Sequence, residues 1–218
     1  MVPTEDTGRV LLVDKPYEWT SFDVVNKLRY KLRIKKIGHA GTLDPLATGL
    51  LIICTGRMTK RIEEYMGLEK EYTGTFVLGK TTPSHDLETE VSDTGDISEL
   101  TPAQLHAAAA ALTGNIRQLP PLHSAIRVGG KRAYQFARKG QDVELKHRDV
   151  EVREFELTGI NLPEVTFRIA CSKGTYIRSI ARDFGEVLGV GAYLAELRRI
   201  RIGDFRIEDA SSIDDITP

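Results

Sequence analysis

Gly38-His39-Ala40-Gly41-Thr42-Leu43-Asp44-Pro45-Leu46-Ala47-Thr48-Gly49 is the stretch on which the reading of this chain turns. Its glycines and proline mark a loop, and its one carboxylate, Asp44, stands between Leu43 and Leu46. A carboxylate among apolar neighbours loses hydration and needs a cation. The plainer alternative is a turn, since Asp-Pro is a common turn opener. Outward from the loop, Leu50-Leu51-Ile52-Ile53-Cys54 reads as a buried strand. On the other side Thr20-Ser21 caps a helix whose Val24, Val25, Leu28 and Leu32 follow helical spacing. That helix and its exit carry Lys27, Arg29, Lys31, Arg33, Lys35 and Lys36 with no acid among them. Rigid cations that could serve Asp44 are few. Arg178, near the start of a helix that follows a core strand, is a good one.

Further elements follow from pattern. Arg9 to Val13 reads as a strand ended by Lys15-Pro16. From Glu71 to Gly79 apolar and polar residues alternate, with Tyr72, Gly74, Phe76 and Leu78 on one face, as in a half-buried strand. Thr101-Pro102-Ala103-Gln104 is a capping box opening an alanine-rich helix expected to stop at Gly114. Pro120 to Gly140, rich in proline, glycine and bases, reads as an excursion from the core. Val165, Phe167, Ile169 and Cys171 alternate as a strand. Tyr176, Ile177, Ile180, Ala181, Phe184 and Leu188 then form one helix face. Leu197 to Ile207 reads as extended strand followed by an acidic end. Strands and helices interleave without repeats or a linker, which gives an α+β class.

The 218 residues allow one ordinary domain or two small ones, and 41% hydrophobic with 28% charged residues excludes disordered and fibrous classes. A net charge of −1 argues at first against a nucleic-acid partner. By segment, however, residues 1–80 carry +3, 81–99 carry −6, 100–203 carry +6 and 204–218 carry −4. A polyanion can dock on the basic face of such a chain without meeting the acidic one. Cys54 and Cys171 read as reduced packing residues, in keeping with a reducing compartment. The acidic start is unlike a secretory leader, and no apolar run approaches the ~20 residues that span a bilayer, so a soluble cytoplasmic protein without membrane attachment is expected.

Two signals fail on physical grounds. Gly74-Thr75-Phe76-Val77-Leu78-Gly79-Lys80-Thr81 satisfies the phosphate-loop pattern letter for letter. Yet its centre reads as strand, and acidic loop follows where a helix should begin, so nucleotide hydrolysis is not expected. The histidines His39, His85, His106, His123 and His147 never pair at ligand spacing, so neither a metal nor another cofactor is expected.

The twelve-residue loop resembles the catalytic loop of the TruB-type tRNA pseudouridine synthases, whose pattern is GHxGxLDPxATG. Other blocks agree in order: Val13-Asp14-Lys15-Pro16 with Thr20-Ser21, Lys70-Glu71-Tyr72, Pro120 to Ala125, Tyr134 with Ala137-Arg138-Lys139-Gly140, Cys171 to Arg178, and Leu197-Arg198-Arg199. The resemblance implies one pseudouridine-synthase catalytic domain over 8–207, with a mixed, mostly antiparallel sheet flanked by helices. It further implies a basic insertion at about 115–148, an acidic tail over 208–218 and a monomer. Longer members carry a C-terminal PUA-type RNA-binding domain; this chain is read as a form without it, leaning on the T arm stem-loop of tRNA.

The implied activity is isomerisation of the uridine at position 55 in the T loop of tRNA. Asp44 matches the nucleophile, and Arg178 the cation that keeps it ionised. Tyr72 matches the aromatic that stacks on the flipped uracil, His39 the residue supporting the loop the base has left, and Tyr176 and Leu197 the pocket positions lining the uracil. The basic helix and the bases around Lys131, Arg132, Arg138 and Lys139 would hold phosphates. The chain departs from the pattern at Lys15-Pro16-Tyr17-Glu18-Trp19, where a glycine is usual. It departs again at Thr82-Pro83-Ser84-His85-Asp86, in place of Thr-Asp-Thr-x-Asp. A non-catalytic protein that binds or remodels tRNA is the alternative, although binding alone needs no buried aspartate.

Overall fold

Each residue of the apolar run at Leu50–Cys54 finds a partner surface, and around it the first part of the fold is built. The computed structural model describes residues 8–124, 126–137, 141 and 143–217, with the backbone alone at 127, 128, 131, 132, 134 and 137. The acidic start and Arg138-Lys139-Gly140 therefore lie outside the described residues, as do the side chains of Lys131, Arg132 and Tyr134. The chain divides into two compact units, Met1–Thr73 with Glu196–Pro218, and Gly74–Ala195.

The first unit holds β1 (Val10–Lys15), α1 (Ser21–Leu32), β2 (Ile37–His39), β3 (Thr48–Thr55), α2 (Ile62–Gly67) and the start of β4 (Lys70–Leu78). β1 and β2 both pair antiparallel with β3. The two faces of β3 bury different sets. Leu51 and Ile53 pack with Val13, Val24, Val25, Leu28 and Leu32, while Leu50, Ile52 and Cys54 pack with Ala40, Tyr65 and Ile202. Each such side chain taken from water stabilises the fold by ~1.5–3 kcal/mol. Thr20 caps α1 in a reciprocal box with Asp23, and Lys27 on the helix is exposed, as are Arg33, Lys35 and Lys36 beyond its end. The acidic end is not free of the core: Ile213 and Ile216 are buried against α1, and Ser211 bonds the backbone of β1 on both sides.

The second unit carries β5 (Lys80–Thr81), β6 (Ser92–Asp93), α3 (Pro102–Ala111), β7 (Gly114–Gln118), β8 (Arg127–Val128), β9 (Lys131–Arg132), α4 (Ala133–Ala137), β10 (Arg148–Asn161), β11 (Glu164–Cys171) and α5 (Ile177–Leu188). β12 (Ala192–Ile202) begins here and ends in the first unit, where β13 (Phe205–Arg206) pairs with it. β7, β10 and β11 form antiparallel ladders. Phe76, Phe155, Phe167 and Phe184 make an aromatic core, Phe76 stacking on Phe167 at 4.2 Å between centroids. In the first unit β12 runs parallel to β3, Arg198 facing Thr48 and Arg199 facing Gly49. The result is an α+β fold with a mixed, mostly antiparallel sheet and flanking helices.

Several expectations shift. The helix from Thr101 has the expected capping box but stops at Ala111, and Gly114 instead opens β7. The strand expected from Leu197 begins at Ala192. β4 is buried on both faces from Thr75 to Leu78, not on one, because aromatic core lies against Phe76 and Val77 is covered too. Gly74 to Leu78 is strand and Lys80 belongs to β5, with a turn from Thr82 to His85 after it. No helix starts at Lys80, so the phosphate-loop match is a coincidence of letters. Both cysteines are buried and neither is in a disulfide, and burial pushes the Cys54 thiol up to about 11. Among the described residues no helix is long and apolar enough to cross a membrane.

Candidate active site

The loop bearing Asp44 is fixed to its surroundings at successive points. The Ala40 N–H donates to Ile52 O at 2.8 Å, and the Asp44 carbonyl accepts from the Ala47 N–H at 3.1 Å. Ser21 Oγ, on the first turn of α1, accepts from the Leu43 N–H at 2.9 Å and donates to Leu43 O at 3.2 Å. Lys15 Nζ donates to Pro45 O at 3.1 Å and also to Pro16 O and Trp19 O. Arg199 donates through Nη2 to Gly41 O at 3.1 Å and through Nε to Leu50 O at 2.7 Å. Two glycines permit this path. Gly41 and Gly49 sit at φ +99° and +102°, and a Cβ on Gly49 would lie 2.3 Å from Arg199 O. Asp44 itself is half-buried, so its carboxylate can meet a substrate.

The environment of this loop is electropositive. Lys15 and Arg199 are among the most deeply buried side chains of the chain. Desolvation lowers the Lys15 amine to about 8; Asp44 opposes that fall and Arg199 adds to it. Burial, and then the charge of Arg199, lower the His39 imidazole below its ordinary range, the Gly41 backbone partly offsetting them. His39 is therefore neutral at pH 7, with Nδ1 shielded from solvent and without a hydrogen bond. Tyr72 on β4 is buried, and Leu197 on β12 is half-buried.

The second unit holds the other two expected residues. Tyr176 is the N-cap of α5 and exchanges two backbone hydrogen bonds with the Gln118 amide, at 2.8 and 3.1 Å. The Arg148 guanidinium lies over its ring, 5.2 Å from the centroid. Arg178, in the first turn of α5, is 3% exposed and so must be compensated. It donates to Ser84 O at 3.3 Å and His123 O at 2.9 Å, and its Nη1 is 3.5 Å from Asp86 Oδ2. Asp86 is buried because the Leu194 N–H donates to His85 O, closing β12 over the turn. His85 is lowered to about 4 by burial and then by Arg182 and Arg178.

Structure thus gathers His39 and Asp44 in one unit around Lys15 and Arg199, and Tyr176 and Arg178 in the other around Gln118 and Asp86. From sequence alone none of Lys15, Arg199, Gln118, Asp86 or Ser21 takes a site role. Asp86 stands in an acidic stretch, Ser21 reads as a helix cap, Lys15 ends a strand and Arg199 lies within one. The signal for Lys15 was a lysine closing an apolar strand directly before proline, where no solvated face is available. Among the described residues no cluster of histidine, cysteine or acid side chains could hold a metal ion.

Comparison with known proteins places this geometry. Residues 29–177 match the N-terminal domain of the TruB family pseudouridylate synthases, and residues 178–218 match the tRNA pseudouridylate synthase B C-terminal domain. The chain belongs to the TruB family of pseudouridylate synthases, and it is an isomerase of that class. The tRNA pseudouridine synthase B of Flavobacterium johnsoniae is 52% identical over 213 residues, covering 94% of this chain and 93% of that protein. That of Phocaeicola vulgatus is 55% identical, covering 95% and 91%. Among solved structures, a chain of a Cbf5-Nop10-Gar1 complex superposes with a TM-score of 0.74 at 30% identity, over 94% of this chain and 52% of that one. A chain of an H/ACA RNP bound to a substrate RNA containing 2'-deoxyuridine gives 0.72 at 28% identity, over 97% and 52%. The protein spans about half the length of those solved chains.

Proposed function

We propose that this protein isomerises the T-loop uridine at position 55 of tRNA to pseudouridine, with Asp44 as nucleophile. The observation that carries the reading is Asp44 itself, a half-buried carboxylate on a loop bound by Ser21, Lys15 and Arg199. A carboxylate held this way can act at the ribose C1′ without a metal, and little reorganisation is needed when it does. In the reaction the N1–C1′ bond of uridine breaks, the uracil turns, a C5–C1′ bond forms, the C5 proton leaves to water and N1 takes up a proton in its place. The base must first leave its stack, at a few kcal/mol that stacking can offset. Tyr72 is assigned to stack on the flipped uracil, Tyr176 and Leu197 to line it, and His39 to support the loop it leaves. The neutral state of His39 suits that packing role, since no charge is buried against RNA. Arg178 is assigned as the cation that keeps Asp44 ionised. The exposed bases of α1 and of the segment after it, Lys27, Arg33, Lys35 and Lys36, hold phosphates of the T arm, and the protein acts as a monomer in the cytoplasm.

The test is tritium release from C5-labelled uridine in tRNA transcripts, read with wild type and Asp44→Asn, with release mapped to position 55 by a U55C transcript. Release by wild type, none by the variant and none from the U55C transcript are expected. An active Asp44→Asn protein would remove the assigned role of Asp44, and release from the U55C transcript would remove the assigned position. Binding without release would favour the tRNA-remodelling alternative.

A further inference from the structure

We propose that Arg199 is a positioning residue for catalysis, acting as a template on which the Asp44 loop is shaped. This rests on the reading of Asp44 as the reacting carboxylate. One guanidinium reaches both flanks of the loop, Gly41 O before Asp44 and Leu50 O after it. Both partners are backbone carbonyls, so the group fixes chain path and makes no ion pair in doing so. Independent of those bonds, the backbone of Arg199 faces Gly49 in the parallel pairing of β12 with β3. Both loop glycines with positive φ thus lie against this one residue: a Cβ on Gly41 would meet its guanidinium at 3.7 Å, and a Cβ on Gly49 would meet its carbonyl oxygen at 2.3 Å.

The chemistry follows from that placement. A fork of donors suits two separated carbonyls, whereas a lysine ammonium is a compact point charge on a flexible stem. The side chain is 1% exposed, so water cannot replace either bond when one is lost. Its charge also stands near Lys15 and His39, where it favours the neutral imidazole. Arg199 is thereby distinct from Arg198, whose guanidinium is paired with Asp14 and half-exposed.

The proposal separates charge from shape, and Arg199→Lys tests it by keeping the first and losing the second. Single-turnover tritium release at saturating enzyme should fall about 10²-fold, the loss expected from a displacement of ~1 Å at a reacting group. The tRNA dissociation constant should stay within about threefold of wild type. A wild-type rate in Arg199→Lys overturns the proposal, and so does a loss of rate matched by an equal loss of affinity. If the variant fails to fold, the wild type still decides. The Arg199 Nε–H should exchange with solvent far more slowly than the Nε–H of Arg198, and equal rates overturn the template role. Asp44→Asn runs alongside: an active Asp44→Asn overturns the reading of Asp44 and this inference with it. An inactive one beside a fully active Arg199→Lys overturns the inference alone.

Discussion

Lys15→Met should leave stability at pH 7 almost unchanged and yet make the protein clearly less stable than wild type at pH 10. The native amine, lowered by burial, loses its proton at about 8, against 10.5 for a solvated lysine. Over that interval the unfolded chain binds one proton more than the native chain, so wild-type stability rises with pH at ~1.36 kcal/mol per unit. The total rise is ~3 kcal/mol, and the Met variant lacks it. At pH 7 two effects oppose each other in the variant. Removing a buried charge stabilises by about that same ~3 kcal/mol. Losing the bonds to Pro16 O, Trp19 O and Pro45 O removes ~1 kcal/mol each. The sum is near zero below pH 8, and the deficit grows above it. Urea unfolding of both proteins at pH 7, 8, 9 and 10, with the difference plotted against pH, measures this. A flat difference refutes the reasoning, because it means that Lys15 titrates as a solvated amine.

Three other outcomes follow. Gly49→Ala should cost about 2–5 kcal/mol, from strain at φ +102° and the 2.3 Å approach to Arg199 O, while Gly114→Ala, with open space around it at φ +95°, should cost only ~1 kcal/mol; denaturant midpoints compare the two. Asp86→Asn should destabilise by about 3 kcal/mol and slow tritium release at least tenfold, because Arg178 stays buried with less compensation; a variant within 0.5 kcal/mol of wild type contradicts the role given to that pair. Lys35→Ala with Lys36→Ala should reduce the slope of log tRNA affinity against log salt by about two, and an unchanged slope would take the exposed bases between α1 and β2 out of the RNA-binding surface.

What the sequence made legible depended on how local each signal was. α1, β3, β11 and α5 follow from periodicity and caps, since their cores and ends are set by residues a few positions apart. β10, fourteen residues long, escaped because register shifts at Val152/Glu154 and Leu157/Gly159 break its alternation, and its many charges mask the apolar face. Asp86 looked solvated because its chain neighbours are acidic; its burial is made by β12. Lys15 and Arg199 carry no local sign of what holds them, because the carbonyls of Pro45 and Gly41 come from distant segments. The Asp44 loop was legible through its motif, but the groups that hold it in shape were not.

Arg199 lies 149 positions after Leu50 and 158 after Gly41. On a ribosome adding ~5–20 residues per second, the loop is synthesised roughly 8–30 s before the residue that shapes it. Residues 74–195 can condense as a continuous stretch in that time, whereas the first unit waits for residues 196 onward. A nascent chain halted before Arg199 therefore holds every residue of the Asp44 motif and still lacks the loop's final form. Competence arrives late in synthesis, on the return of β12.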